Sequence, residues 1–131
     1  MLLDTSGFLS LLQTRDERHA QAVRFYQNAS GRITHNYVIA ELVALAEARR
    51  VPHAIALGLV ERIPEDPKIH TVWVDRDLHR AALALLRNRA DKTYSLCDAV
   101  SFLLMRERDI IQALTTDHHF EQEGFVRLLP Q

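Results

Sequence analysis

The sequence predicts an α/β domain of three layers, with helices covering both faces of a mainly parallel five-stranded sheet. Three observations point there. Five short apolar or β-branched runs recur along the chain: Met1 to Leu3, Arg32 to Thr34, Ile69 to Val74, Asp109 to Leu114 and Val126 to Leu129. Four of the intervals between them carry apolar residues at helical spacing, and strands joined through helices pair in parallel by right-handed crossovers. Finally, 131 residues at 47% hydrophobic content suffice for one core and leave little room for another, so residues 1–131 are read as one domain.

The first strand ends at Asp4, and the turn Asp4-Thr5-Ser6-Gly7 feeds a helix marked by Phe8, Leu9, Leu11 and Leu12, with Thr5 or Ser6 as its cap. Asp16 reads as the cap of a second helix running to about Asn28, with Ala20, Val23 and either Tyr26 or Ala22 facing inward. Asn36 opens a third helix with an apolar stripe of Val38, Ile39, Leu42, Leu45 and Ala46. At about 100° per residue, Glu41 lies on the edge of that stripe, whereas Glu47 is an ordinary solvated glutamate. Pro52 suits the first turn of a fourth helix that stops before Pro64. Asp75 or Asp77 caps the fifth, whose buried side is Leu78, Ala81, Ala82, Leu85 and Leu86. Arg87, Arg89 and Lys92 then read as a solvated helix end.

The stretch from Tyr94 to Phe120 stands apart. Leu96, Ala99, Val100, Phe102, Leu103, Leu104 and Met105 wrap nearly the whole circumference of a helix, which marks it as buried. Asp98 sits inside that apolar rod, and a carboxylate there has to be hydrogen-bonded, paired or protonated. Its ordinary explanation is a capping box with Ser95. After the fourth strand comes Thr115-Thr116-Asp117, where Asp117 equally suits the cap of a short helix starting near His118.

Composition narrows the function classes. A net charge of -1 gives no wide basic footprint, so any nucleic-acid contact is expected to be local. Cys97 is the only cysteine, which rules out an intrachain disulfide and a cysteine-based zinc site and fits a reducing cytoplasm. Neither a signal peptide nor a membrane span is expected.

Asp4 and Asp117 follow strands, while Glu41 and Asp98 lie on helices next to strands. If those strands are neighbours in a parallel sheet, the four acids meet at its carboxyl edge, where open α/β sheets place ligands. Like charges brought together need a cation, and an all-oxygen donor set selects a hard ion, Mg²⁺ or Mn²⁺. Such an ion polarises a phosphoryl oxygen and supplies a hydroxide nucleophile, so the chemistry implied is phosphodiester hydrolysis.

Four segments carry a family resemblance: LLDTSGFL at residues 2–9, HNYVIAELVAL at 35–45, YSLCDAVSFLLMRER at 94–108 and ALTTDHHFEQEGF at 113–125. In this order and spacing the chain resembles the PIN-domain ribonucleases of the VapC toxin type, from toxin–antitoxin modules. The resemblance implies a PIN-like sheet in the order 3-2-1-4-5, RNA as substrate, a homodimer and a cognate antitoxin. It also makes Asp4, Glu41, Asp98 and Asp117 the acidic quartet, with Thr115 or Ser6 assisting through hydroxyl contacts to a ligand acid or to metal-bound water. Asp4, Asp98 and Asp117 are the metal-ligand candidates, and Glu41 either orients the attacking water or holds a second ion. Thr5 and Thr116 read as local caps.

Neighbouring side chains on a helix diverge by about 100°, so His118 and His119 are not expected to face one ion, and His119 is placed near substrate phosphate. Arg15, Lys92 and Arg106 are weak candidates for RNA backbone contact. The dimer surface is expected on the helices between Pro52 and Arg89. A housekeeping PIN-domain nuclease, a phospho-acceptor receiver and a non-enzymatic binding module are the competing readings. Against the receiver reading, this chain has one acid after its first strand where a receiver has two, and no suitable lysine before the fifth.

Overall fold

A computed structural model describes residues 1–130 and places five strands in one sheet: β1 (Leu2–Leu3), β2 (Ile33–His35), β3 (His70–Val72), β4 (Gln112–Leu114) and β5 (Val126–Arg127). Their order is β3-β2-β1-β4-β5 and every pairing is parallel. In a receiver domain the third strand lies between the first and fourth, so this order excludes that fold. The helices are α1 (Thr5–Leu12), α2 (His19–Asn28), α3 (Asn36–Ala48), α4 (His53–Arg62), α5 (Arg76–Asn88), α6 (Leu96–Glu107) and α7 (His119–Gln122). No helix among the described residues is long and apolar enough to cross a membrane.

The two leucines of β1 show how short strands hold a three-layer domain. Successive side chains on a strand point to opposite faces. Leu3 therefore packs with Phe8, Leu9, Ala22, Val38 and Leu42 under α1, α2 and α3, and Leu2 packs with Ala82, Val100, Phe102 and Phe120 under α5, α6 and α7. Neither leucine is exposed, as expected for a central parallel strand covered on both sides.

The structure moves several expected boundaries. Strand β3 keeps only the middle of Ile69 to Val74, and Trp73 is left solvent-exposed beyond its end. Strand β4 starts at Gln112 because Asp109 takes a left-handed φ of 54° that turns the chain out of α6, and Ile111 remains exposed. β5 ends at Arg127, although Leu128 and Leu129 still donate backbone bonds to Ala113 and Thr115.

Caps shift as well. Asp4 holds the N-cap position of α1, leaving Thr5 and Ser6 inside its first turn, and Pro52 precedes α4 instead of entering it. Asp16 lies in the loop before α2, where it accepts from Arg18 N and Ser10 Oγ. Asp75 caps α5 by accepting from Leu78 N. Ala20 and Ala81, expected inside, are exposed, because α2 turns on Ala22 and α5 on Ala82 and Leu85. Arg89 and Arg106 are not free cations, since both bind the buried Glu123 side chain and tie α5, α6 and α7 together.

A glycine sets how closely α1 lies against the sheet. A Cβ at Gly7 would stand 2.1 Å from the Leu114 carbonyl oxygen, so only glycine lets α1 approach the end of β4 to this distance.

Candidate active site

The register of the central strands brings the first two acids' surroundings together. Leu2 pairs with Ala113 and Leu3 with Leu114, and Asp4 N donates to the Leu114 carbonyl, so the next residues in line are Asp4 and Thr115. Thr115 Oγ1 donates to Asp4 Oδ2 at 2.7 Å. With its one proton committed there, Thr115 Oγ1 can only accept from Ser6 Oγ at 3.2 Å and from Asp117 N at 3.0 Å. Ser6 Oγ in turn accepts from Thr116 N. The bonds therefore run in one direction toward the Asp4 carboxylate, each polarising the next.

Asp98 occupies the third position of α6 and completes the capping box: Asp98 N donates to Ser95 Oγ, and Ser95 N donates to Asp98 Oδ2. The ordinary explanation of Asp98 is thus correct, and it leaves the second oxygen uncommitted. Asp117 Oδ1 accepts from His119 N at 2.9 Å in the turn that opens α7. Glu41, on α3, accepts at Oε1 from Thr5 Oγ1. Thr5 is consequently a partner of the fourth acid and not a cap. Thr116 does not cap a helix either and lines the same cleft.

All four acids line this one cleft, of about 450 Å³, together with Thr5, Ser6, Thr93, Ser95, Thr116, His118 and His119. Within the hydrogen-bond pattern of the described residues each carboxylate uses one oxygen: Oδ2 of Asp4, Oε1 of Glu41, Oδ2 of Asp98 and Oδ1 of Asp117. Each acid is thus anchored through one of these oxygens, and the Thr5 backbone and the Cys97 thiol add contacts to Asp4 and Glu41.

The electrostatic cost is visible. Burial, opposed by the Thr115 bond and reinforced by Asp98 and Asp117, pushes the Asp4 carboxyl up to about 7. Burial likewise raises Asp98, with Asp117 adding to the effect and the Ser95 and His119 bonds opposing it. Glu41 is an exposed residue whose carboxyl end is partly screened against Thr5. It too is raised, first by desolvation and then by Asp98 and Asp117. The N-terminal ends of α1 and α6 face the same cleft and partly offset the repulsion. Cys97 is buried beside the cluster, and burial together with Asp4, Glu41 and Asp98 raises its thiol far out of the nucleophilic range.

One expectation about the histidines is overturned. Asp117, His118 and His119 offer ligand atoms that lie within 4.8 Å of one another, because His118 precedes α7 and the two rings tilt by only 47° at 4.6 Å. Within the cleft, His119 stands against the acids: its Nδ1 is 3.1 Å from Asp98 Oδ2 and 3.3 Å from Asp117 Oδ1, and its Nε2 is 3.1 Å from Thr93 Oγ1. The signal was local, since an Asp-x-His turn folds the imidazole back over the preceding carboxylate. Nothing in the sequence marked Thr93. Arg15 lines a different hollow, beside Arg50 and Pro52.

Comparison with known proteins agrees with this architecture. The PIN domain model matches residues 1–125. The chain is 30% identical over 132 aligned positions to the 23S rRNA-specific endonuclease VapC20 of Mycobacterium tuberculosis, in the CDC 1551 / Oshkosh and H37Rv strains alike, covering all of this chain and 99% of the relative. The crystal structure of M. tuberculosis VapC20, described as a sarcin-ricin loop cleaving toxin, superposes with a TM-score of 0.86 at 29% identity over 98% of both chains. Given a family model that spans nearly its whole length and a relative aligned end to end, this protein belongs to the PIN-domain family.

Proposed function

We propose that the protein is an Mg²⁺- or Mn²⁺-dependent endoribonuclease that acts in the cytoplasm as a growth-inhibiting toxin and is neutralised by a cognate antitoxin. One observation carries the reading: four carboxylates, each anchored by a hydrogen bond, share a cleft that no lysine or arginine among the described residues lines. The donor set fits a hard divalent ion, since it is oxygen-rich and its one nearby thiol stays protonated.

Asp4, Asp98 and Asp117 would hold that ion. When bound, it supplies Lewis acidity toward a phosphoryl oxygen of the RNA backbone. Thr115 and Ser6 keep Asp4 from rotating, and the Ser95 capping box does the same for Asp98. Glu41, at the solvent side and with its proton affinity raised, orients the attacking water and takes its proton. Lys92, exposed one residue before Thr93 on the rim and 3.6 Å from Asp91, is the candidate for an RNA phosphate contact, whereas Arg106 is engaged by the buried Glu123 side chain.

The relatives' named substrate makes 23S ribosomal RNA the first target to test. Incubation with that RNA and Mg²⁺ or Mn²⁺ is expected to give discrete cleavage that EDTA and Asp98→Asn abolish. Induced expression is expected to arrest growth unless the product of an adjacent small reading frame is co-expressed. Asp98→Asn that cleaves as well as wild type ends the catalytic assignment, and cleavage without growth arrest points to a housekeeping nuclease. The homodimer is proposed to use the stretch from Pro52 to Arg89, where Ile55, Leu57, Trp73 and Leu83 are exposed. Light scattering that finds a monomer at high micromolar concentration contradicts it.

A further inference from the structure

The acids account for charge and ligation, but none of them explains how Asp98 and Asp117 keep a fixed separation. They belong to different elements, Asp98 to the first turn of α6 and Asp117 to the segment between β4 and α7. The backbone anchor of each is local, Ser95 N in one case and His119 N in the other. One side chain touches both: the His119 ring, with Nδ1 at 3.1 Å from Asp98 Oδ2 and 3.3 Å from Asp117 Oδ1.

We infer that His119 is a positioning residue whose Nδ1–H bonds Asp98 and stands beside the anchored oxygen of Asp117, so fixing the separation of these two acids for a divalent ion. This rests on reading the cleft as a metal site. Ionised carboxylates only accept hydrogen bonds, so the atom facing both of them has to carry the proton. Nε2 then becomes an acceptor, and Thr93 Oγ1 stands 3.1 Å away to donate to it. Thr93 thereby accommodates the tautomer that serves the acids. The ring is held in that orientation by an edge contact to Tyr94 at 5.2 Å, and its side chain is only 15% exposed. Bonds of this kind, one shell out from an ion, orient the ligands, and their loss typically weakens metal affinity about 10- to 100-fold.

The geometry makes a specific demand, because the donor has to stand at Nδ1. An asparagine amide nitrogen reaches that position, whereas a glutamine amide nitrogen reaches the position of Nε2. Manganese binding to the purified full-length chain, followed calorimetrically without RNA, separates the cases. His119→Ala and His119→Gln are expected to weaken Mn²⁺ affinity about tenfold or more, and His119→Asn to restore most of it. In the metal-free wild type, nitrogen NMR is expected to show the proton on Nδ1. Equal Mn²⁺ affinity in wild type, Ala and Gln variants overturns the inference while leaving the metal site standing. Rescue by Gln but not Asn overturns it too, as does an Nε2–H tautomer. Wild type that binds no Mn²⁺ removes the metal reading and this inference together. Should the Ala variant fail to fold, the Asn and Gln pair decides.

Discussion

Thr115 Oγ1 lies 2.7 Å from Asp4 Oδ2, although 111 residues separate the two in the chain. Both are buried, and the bond closes the end of the β1–β4 pair. Thr115→Val keeps the shape and removes the donor, leaving Asp4 unanchored. It is expected to lower RNA cleavage and Mn²⁺ affinity by about 10- to 100-fold, while Thr115→Ser stays near wild type. Equal activity of the Val and Ser variants would show that the hydroxyl is dispensable.

Asp4 should make the metal-free protein lose stability as pH rises to neutrality. Its pKa is raised from 3.8 to about 7, so the folded state favours the protonated acid, and the stability that this gives is complete below pH 4 and lost as pH rises toward 7. Asp4→Asn removes the loss and keeps an acceptor for Thr115. Urea unfolding with EDTA at pH 8 should find this variant more stable than wild type by a few kcal/mol, on the order of 1.4 per pKa unit. Added Mg²⁺ should raise the melting temperature of wild type only. A less stable Asn variant would mean that the Asp4 charge is already compensated.

His35 should govern the acid side. It is fully buried at the end of β2 with Nε2 2.8 Å from Ser101 Oγ, and burial drives its pKa down from 6.5 to about 3. The unfolded chain takes up the proton first, so stability should fall as pH drops from 6.5 toward 3. The cleanest measurement uses the Asp4→Asn background, where the opposing Asp4 titration is absent. There, His35→Gln should flatten the slope between pH 4 and 6.5, and an unchanged slope would assign acid sensitivity elsewhere.

Gly7→Ala should be costly despite the good helix propensity of alanine. The new methyl would meet the Leu114 carbonyl oxygen at 2.1 Å and its carbon at 2.9 Å, and both are backbone atoms that cannot rotate away. Either α1 or β4 must shift, at about 1–3 kcal/mol or more. Because Leu114 precedes Thr115, the shift also pulls the hydroxyl from Asp4. Chemical denaturation and a cleavage assay should fall together, and intact stability would show that α1 can slide.

Much of this was legible in the linear chain. Asp98 in an apolar rod demanded partners, and Ser95 three residues earlier supplied them. Alternating short strands and periodic helices fixed the layers, because these patterns express backbone geometry that each segment carries by itself. Their ends were less legible. Trp73 and Ile111 have strand-forming side chains, yet strands stop where the neighbour stops pairing.

The amino-acid sequence alone determined which residues are charged, which faces are apolar and hence which layers form, since these follow from local periodicity and burial. The tertiary structure alone decided that Asp4 stands beside Thr115, that Thr5 holds Glu41 and that His119 reaches both Asp98 and Asp117. Those relationships depend on strand register and helix packing, in which a shift of one residue redirects every side chain, and no local pattern encodes that choice.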